Sequence, residues 1–372
     1  MSAQPSNSDN RYDIIIVGGG IIGLLSALNL RRSGASVCVI ERGALGGESS
    51  WAGGGIISPL YPWRYNEAVN VLAERSKLIY PVLVNELEAL SGIDAQLLTT
   101  GMLILHDEEI EAASAWAKAY DVELHHLLSH HELQQQAPGI AARYQRGLWM
   151  PAIGQVRNPL LVQALRESCR AKGVIMKEHC AVDDILIENG RAQGVEASGH
   201  RLSADVVVIA SGAWSGRVLQ GRAEIDVHPV KGQMIMLKTE PGTVNTMVMD
   251  HGHYIIPRKD GHVLAGSTLE FTGFDKTVTE DAKSDLFAQA CELMPLLGEY
   301  EVIRHWSGLR PGTTQGVPYI CEHDEVAGLY IHAGHFRNGI VLGAASAELL
   351  AQMVTSQQTF CDISPYRLDA EH

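Results

Sequence analysis

Charge is scarce in this chain, and positive charge is scarcer. Only 19% of the 372 residues are charged, and 43 acids against 29 bases leave a net charge of −14. Nucleic-acid binding needs a basic footprint, and docking on an anionic membrane needs surface Lys and Arg, so neither partner is expected. The low charge also places much of the chain in an interior, and the length suits two or three domains. The six cysteines (Cys38, Cys169, Cys180, Cys291, Cys321 and Cys361) form no CxxC pair. A chain this long needs no covalent staples, so they read as reduced thiols of a cytoplasmic protein. No basic segment leads into an apolar one at the start, so no secretory leader is expected; residues 1–10 are polar and read as a disordered tail. The apolar run 14–30 falls short of the ~20 residues of a membrane helix and contains four glycines. No internal repeat is present.

Glycine is abundant instead, with 37 residues. It clusters at 18–23, 43–55 and 334–343. The first cluster follows a β-branched run (DIIIV, 13–17) and precedes an amphipathic stretch from Ile21 to Ser33. A second apolar run, SVCVIE (36–41), follows. This is a βαβ unit around G-x-G-x-x-G, a dinucleotide fingerprint. Gly18 serves the tight turn, Gly20 lets backbone approach a pyrophosphate, and Gly23 lets helix and sheet pack closely. The helix N-terminus presents N–H groups to the phosphates, and Glu41 can accept from an adenosine ribose. The fingerprint alone does not separate NAD from FAD.

Further along, a helix is expected over 65–91 and another over 108–119. A strand is expected at 101–105, and Asn158-Pro159 reads as N-cap and first turn of a helix ending at Gly173. Asn189-Gly190 marks a type I′ hairpin. ADVVVIA (204–210) and GLYIH (328–332) read as buried strands, and 227–274 as short antiparallel strands. The fold class is therefore α/β: a Rossmann-type domain (11–85, 151–226, 319–372) and a second domain with a mainly antiparallel sheet and helices (86–150, 227–318). His125-His126 and His130-His131, flanked by Glu123 and Glu132, read as a solvated loop and helix start rather than a zinc site, and no metal is expected.

Four segments in order narrow the reading. ADVVVIASGAWS (204–215) and GLYIHAGHFRNGIVLGA (328–344) resemble the second and C-terminal FAD motifs of flavin amine oxidases. GALGGESSWAGGGI (43–56) resembles the loop that wraps the flavin. With HYIIPR (253–258), WSGLRPGT (306–313) and AGHFRNGI (333–340), the chain resembles the D-amino acid oxidase/glycine oxidase family over about residues 12–355. The resemblance implies non-covalent FAD, because Cys321 lies well past the position near Arg310 and Pro311 where related sarcosine oxidases attach their flavin. It implies FAD contacts at Ile21, Ile22, Glu41, Arg42, Ser49, Ser50, Gly54, Gly55, Ile56, Val182 and Gly212, and from His335 through Phe336, Arg337, Asn338, Gly339 and Ile340 to Val341. It implies that Arg310 binds the substrate carboxylate beside the Tyr254 hydroxyl, with Arg337 also at the site. Leu269 and Ile56 would shape the pocket where relatives carry Met. The DHGHY turn (250–254) is a residue longer than its counterpart, which leaves open whether His251 or His253 faces the site.

The activity so implied is hydride transfer from the Cα of glycine, sarcosine or a small D-amino acid to flavin N5, giving an imine and, with O2, hydrogen peroxide. The imine would hydrolyse to glyoxylate and ammonia or pass to a thiazole synthase for the thiazole of thiamine. A homo-oligomer, by resemblance a tetramer, is implied. Arginine suits the carboxylate, since it grips bidentately and stays charged when buried. No convincing general-base constellation is visible. Trp51 and Trp306 read as packing residues. The alternatives are a quinone-linked D-amino acid dehydrogenase of the same fold, disfavoured by the charge, and a non-catalytic nucleotide-binding regulator.

Overall fold

The computed structural model describes residues 10–105 and 108–371. Most of the expected tail lies outside these residues; Asn10, the one described member, accepts the Ser203 N–H through its carbonyl at 2.8 Å.

The β-branched runs make the first sheet. Its order is Tyr319–Glu322, Leu329–Ala333, His200–Ile209, Arg11–Val17, Val37–Ile40, Ile175–Lys177. All neighbours are parallel except the Tyr319–Glu322 edge. Runs apolar at every position suit strands covered on both faces. Helices Ile21–Arg32, Glu67–Ser91, Asn158–Ala171 and Gly339–Val354 cover one face, burying Ile16, Leu28, Leu72, Leu165 and Leu342 in one core. The other face carries Ile15, Val207 and Ile331 beneath the hairpin of Val182–Glu188 and Arg191–Ala197. At its turn Asn189 and Gly190 have φ of 52° and 70°, as a type I′ turn requires.

The second sheet runs Val302–Gly312, His228–Lys238, His262–Gly266, His253–Pro257, Met247–Asp250, Met102–Ile104, Gly147–Met150, His125–Leu127. It is antiparallel apart from the pairing of Met247–Asp250 with Met102–Ile104. Helix Glu280–Leu293 closes one face through Leu286, Ala290 and Leu293. The opposite face, with Met234, Met249, Tyr254 and Ile256, packs with Tyr61 and Trp116.

Two local expectations shift. Helix Glu67–Ser91 continues past residue 85 and ends at Gly92 (φ 72°), with Leu83 and Leu87 in the core of the first sheet, so a domain boundary at 85–86 would cut it. Helix Asn158–Ala171 starts one residue earlier than expected, with Arg157 in the capping position. The Asn158 amide donates instead to the Ser50 carbonyl at 3.1 Å. Among the described residues no helix is long and apolar enough to cross a membrane, and no three His, Cys, Asp or Glu side chains gather as a metal would need. All six cysteines are free.

Two imidazoles lie in this interior. Ser26 Oγ lies 2.8 Å from the Ile22 carbonyl and 2.9 Å from His332 Nδ1. Ser346 Oγ lies 3.2 Å from the Gly343 carbonyl and 3.0 Å from His335 Nε2. Both rings are buried with no carboxylate partner beside them, which favours their neutral form. Burial draws the His335 pKa from 6.5 down to about 3, and burial, then His335, draws His332 well below the ordinary value. Below pH 6.5 the unfolded chain takes protons that the folded chain refuses, so acid lowers stability, by up to about 1.4 kcal/mol per pH unit for each histidine. Urea unfolding is expected to show this slope between pH 6.5 and 4.5, and His332→Gln to flatten it; an unchanged slope in that variant removes His332 from the account.

Candidate active site

The turn after the first strand has room for backbone only. Gly18 leaves the strand at φ 115°, and a Cβ there would stand 2.3 Å from the Ala210 carbonyl oxygen. A Cβ on Gly23 would stand 1.9 Å from the Gly18 oxygen, so this glycine sets how closely helix Ile21–Arg32 approaches the sheet. Glu41, foreseen as a ribose acceptor, has its carboxylate on backbone N–H groups. Its Oε2 accepts from Gly19 N–H (2.8 Å) and its Oε1 from Gly43 N–H (2.9 Å), tying the first two glycine clusters together. Ser50 Oγ accepts from Ile21 N–H at 2.9 Å.

A cleft runs along the C-terminal edge of the parallel sheet. Gly18, Gly20, Ile21, Ile22, Glu41, Arg42, Ser49, Ser50, Val182, Gly212, His335, Phe336, Arg337, Gly339 and Ile340 all line it. A smaller chamber is lined by Gly54, Gly55, Ile56, Tyr254, Arg310 and Asn338. The two share Ser49, Gly53, Arg310, Arg337 and Ile340, so they are parts of one cleft. Gly23 and Val341 line neither; Val341 is core. Leu269, expected on the pocket wall, is 45% exposed and lines neither chamber. His251 and His253 do not line them either; His251 is largely exposed, and burial lowers the pKa of His253.

Sequence reasoning missed Trp214 and Glu48. Arg42 lies 3.6 Å from the centre of the Trp214 ring and pairs with Glu48 at 3.1 Å, and all three line the larger chamber. The only sequence signal was that both lie within FAD-like segments, Glu48 in 43–56 and Trp214 in 204–215.

The cleft suits an anionic dinucleotide. Helices Ile21–Arg32 and Gly339–Val354 both begin on it, at Gly20 and Asn338, without a capping side chain from either residue. Such N-termini attract phosphate and the charge of a reduced flavin.

Arg310 lies in strand Val302–Gly312, opposite Val230. Its guanidinium donates to three neutral oxygens: Lys231 O (3.3 Å), Thr268 O (3.2 Å) and Ser267 Oγ (2.8 Å). Burial lowers its pKa; the Tyr254 hydroxyl counters this, and the like charge of Arg337 adds to it. Arg337 makes no ion pair among the described residues; its guanidinium lies 5.6 Å from the Phe336 ring. The Tyr254 hydroxyl lies 3.8 Å from Met234 Sδ. No His, Asp, Glu, Lys or Cys lines the smaller chamber. It therefore presents two arginines and no side-chain counter-ion, which is a site for an anion.

Segment 267–279 holds Arg310 from one side. Lys231, 3% exposed, pairs with Glu270 at 2.8 Å, and Gln233 donates to the same carboxylate at 2.8 Å. Beyond it, Phe274 packs on Trp214 (5.2 Å between rings) and Lys276 pairs with Glu48 at 3.1 Å.

A parallel-sheet cleft for a dinucleotide, opening on a chamber of unpaired guanidiniums, defines a flavin-dependent oxidoreductase of small carboxylate-bearing substrates. The chain belongs to the DAO family, FAD dependent oxidoreductase, whose model matches residues 13–353. It is 42% identical to the glycine oxidase of Pseudomonas putida over 355 residues, 95% of this chain and 97% of that protein. The crystal structure of glycine oxidase from Geobacillus kaustophilus superposes with a TM-score of 0.93 at 30% identity, covering 98% of this chain and 100% of that one. The bifunctional protein ThiO/ThiG of Trichormus variabilis is 29% identical over 352 residues, 93% of this chain and 53% of that protein. The chain is accordingly an FAD-dependent amino acid oxidase with a glycine oxidase-like fold.

Gly232 faces Gly308 across the strand pair, and a Cβ on Gly232 would stand 2.3 Å from Arg310 Cζ. Gly232→Ala is expected to displace the guanidinium and raise KM for the amino acid at least ~10-fold, about 1.4 kcal/mol, while leaving FAD affinity near wild type. Steady-state kinetics with flavin-fluorescence titration checks this; an unchanged KM would mean that the guanidinium tolerates the shift.

Proposed function

We propose that the protein oxidises glycine and other small amines or amino acids, sarcosine and small D-amino acids among them. The products are the imine and hydrogen peroxide formed with O2. The observation that carries this reading is the composition of the smaller chamber: two guanidiniums, a tyrosine hydroxyl and glycine backbone, with no His, Asp, Glu, Lys or Cys side chain. Arg310, and Arg337 with it, takes the substrate carboxylate through charge-assisted hydrogen bonds. Tyr254 adds a hydroxyl at the same end. Holding the carboxylate fixes the Cα–H, and that orientation is the protein's main contribution to a hydride transfer. FAD, when bound, supplies the hydride acceptor. With no base in the chamber, the amine must react in its neutral form. The two cations favour that form by disfavouring a nearby ammonium.

The glycine preference draws support from the relatives named glycine oxidase. A role in supplying glycine imine for the thiazole of thiamine draws support from the relatives named ThiO/ThiG. A thiazole synthase as recipient of the imine, and a homo-oligomeric assembly, belong to the same reading.

Anaerobic addition of glycine is expected to bleach the flavin spectrum, and readmitted air to restore it with peroxide release. A protein that bleaches yet reoxidises only with a quinone is instead a dehydrogenase, and one that glycine and sarcosine leave yellow loses the assignment. Arg310→Ala is expected to lose ~2–5 kcal/mol in kcat/KM, the scale of removing one partner of a buried charge pair. The kcat/KM profile should rise with pH as the substrate ammonium deprotonates. A rising limb set instead by an enzyme carboxylate near pH 4–5, the ordinary range for such groups, would contradict a chamber without a base.

A further inference from the structure

The flavin loop meets the cleft with glycine backbone, and two of its carbonyls are held by donors from the second sheet. Trp306 Nε1 donates to Ala52 O at 3.0 Å. Arg258 donates to Gly54 O at 2.9 Å, to Val156 O at 3.0 Å and to the Gln155 side-chain oxygen. In a trans peptide the carbonyl oxygen and the following N–H point in opposite directions. Ala52 O and Gly54 O held against the second sheet therefore turn the N–H groups of Gly53 and Gly55 the other way. Gly53 and Gly55 line the smaller chamber, and the Gly55 N–H has no hydrogen-bond partner among the described residues. Side chains are excluded from this turn. A Cβ on Gly54 would stand 2.5 Å from Ile256 Cδ1, and one on Gly55, at φ 76°, 2.1 Å from Val156 O.

Arg258 is 7% exposed, and all its hydrogen-bond acceptors are neutral. The charged groups nearest it, Arg157 and Asp260, pair with each other at 2.7 Å. An arginine among neutral carbonyls needs a reason, because burying its charge is costly without a counter-ion. Gln155 and the two carbonyls repay part of that cost, and an anion beyond the Gly54–Gly55 peptide would repay more. A guanidinium on a peptide oxygen polarises that peptide and strengthens its N–H as a donor.

We infer that Arg258 is a positioning residue for the cofactor. It fixes the Gly54–Gly55 peptide so that the Gly55 N–H faces the flavin as a donor, and it lends that donor its positive charge. The inference rests on FAD occupying the cleft. It assigns no contact between Arg258 and substrate.

Arg258→Met removes the charge and the clamp at similar bulk, Arg258→Lys keeps the charge, and Trp306→Phe removes only the companion donor to Ala52 O. The probes are FAD itself, titrated into apoprotein, and sulfite, which adds to flavin N5 and gains from positive charge nearby. In Arg258→Met, FAD affinity and sulfite affinity are each expected to fall at least ~10-fold, the scale of losing a charged hydrogen bond. The visible flavin band should change shape, and Arg258→Lys should recover part of the sulfite affinity. A merely structural arginine would lower the urea midpoint and leave the band and the sulfite affinity of FAD-saturated protein unchanged; that result overturns the inference. If Arg258→Met does not fold, Arg258→Lys decides. A band and sulfite affinity both unchanged in that variant overturn the inference, and a shift in either supports it. A wild-type protein that binds FAD but leaves glycine unoxidised sinks the proposed function alone, since these readouts need no substrate.

Discussion

The parallel pairing of one strand fixes where everything else can be. Val17 stands level with Ile40 on one side and Ile209 on the other, and Ile209 stands level with Ile331. Three of the chain's glycine-bearing turns therefore leave the same edge of the sheet, though nearly three hundred residues separate the third from the other two. The 18–23 turn, the start of the 43–55 loop and the 334–343 turn open onto one cleft because hydrogen-bond register leaves them nowhere else to open. The rule that α/β sheets bind ligands beyond their strand C-termini is met here by backbone rather than by side chains.

Those elements were legible for a local reason. A strand covered on both faces favours apolar residues throughout, a tight turn at positive φ favours glycine or asparagine, and both preferences are written within a few residues. Glu41, Gly18, Gly20 and the Asn189-Gly190 turn could be placed on such grounds. Most of the site residues could not. Arg310 and Arg337 drew their assignment from resemblance, since an arginine in a loop has no local signature of burial.

What escaped the sequence was held by partners far away in it. Asn158 looks like a helix cap, and locally it is one residue from being so; the Ser50 carbonyl, 108 residues off, claims its amide instead. Leu269 looked like a wall residue by its place in the family pattern. Yet the ladder between Lys231 and Glu270 on one side and the Arg310 bond to Thr268 on the other leave its side chain outward. Trp306 was read as packing, and its indole nitrogen proves to hold a carbonyl of the flavin loop. Helix Glu67–Ser91 was legible, but the domain boundary drawn at 85–86 ignored that Leu87 belongs to the core of the first sheet. In each case tertiary hydrogen bonding or burial overrode a sound local expectation.

The walls of the smaller chamber have an evolutionary consequence. Gly53, Gly54, Gly55, Gly232 and Gly308 contribute backbone to them, and bare backbone cannot be trimmed. At these five positions any substitution adds atoms, so mutation there can only narrow what the chamber accepts. Room for a bulkier substrate has to come from trimming side chains of the lining, among them the apolar Ile56, Leu60, Met234 and Ile340. The repertoire of this enzyme can thus broaden only where side chains form the wall, an asymmetry set by where glycine was needed to build the cleft.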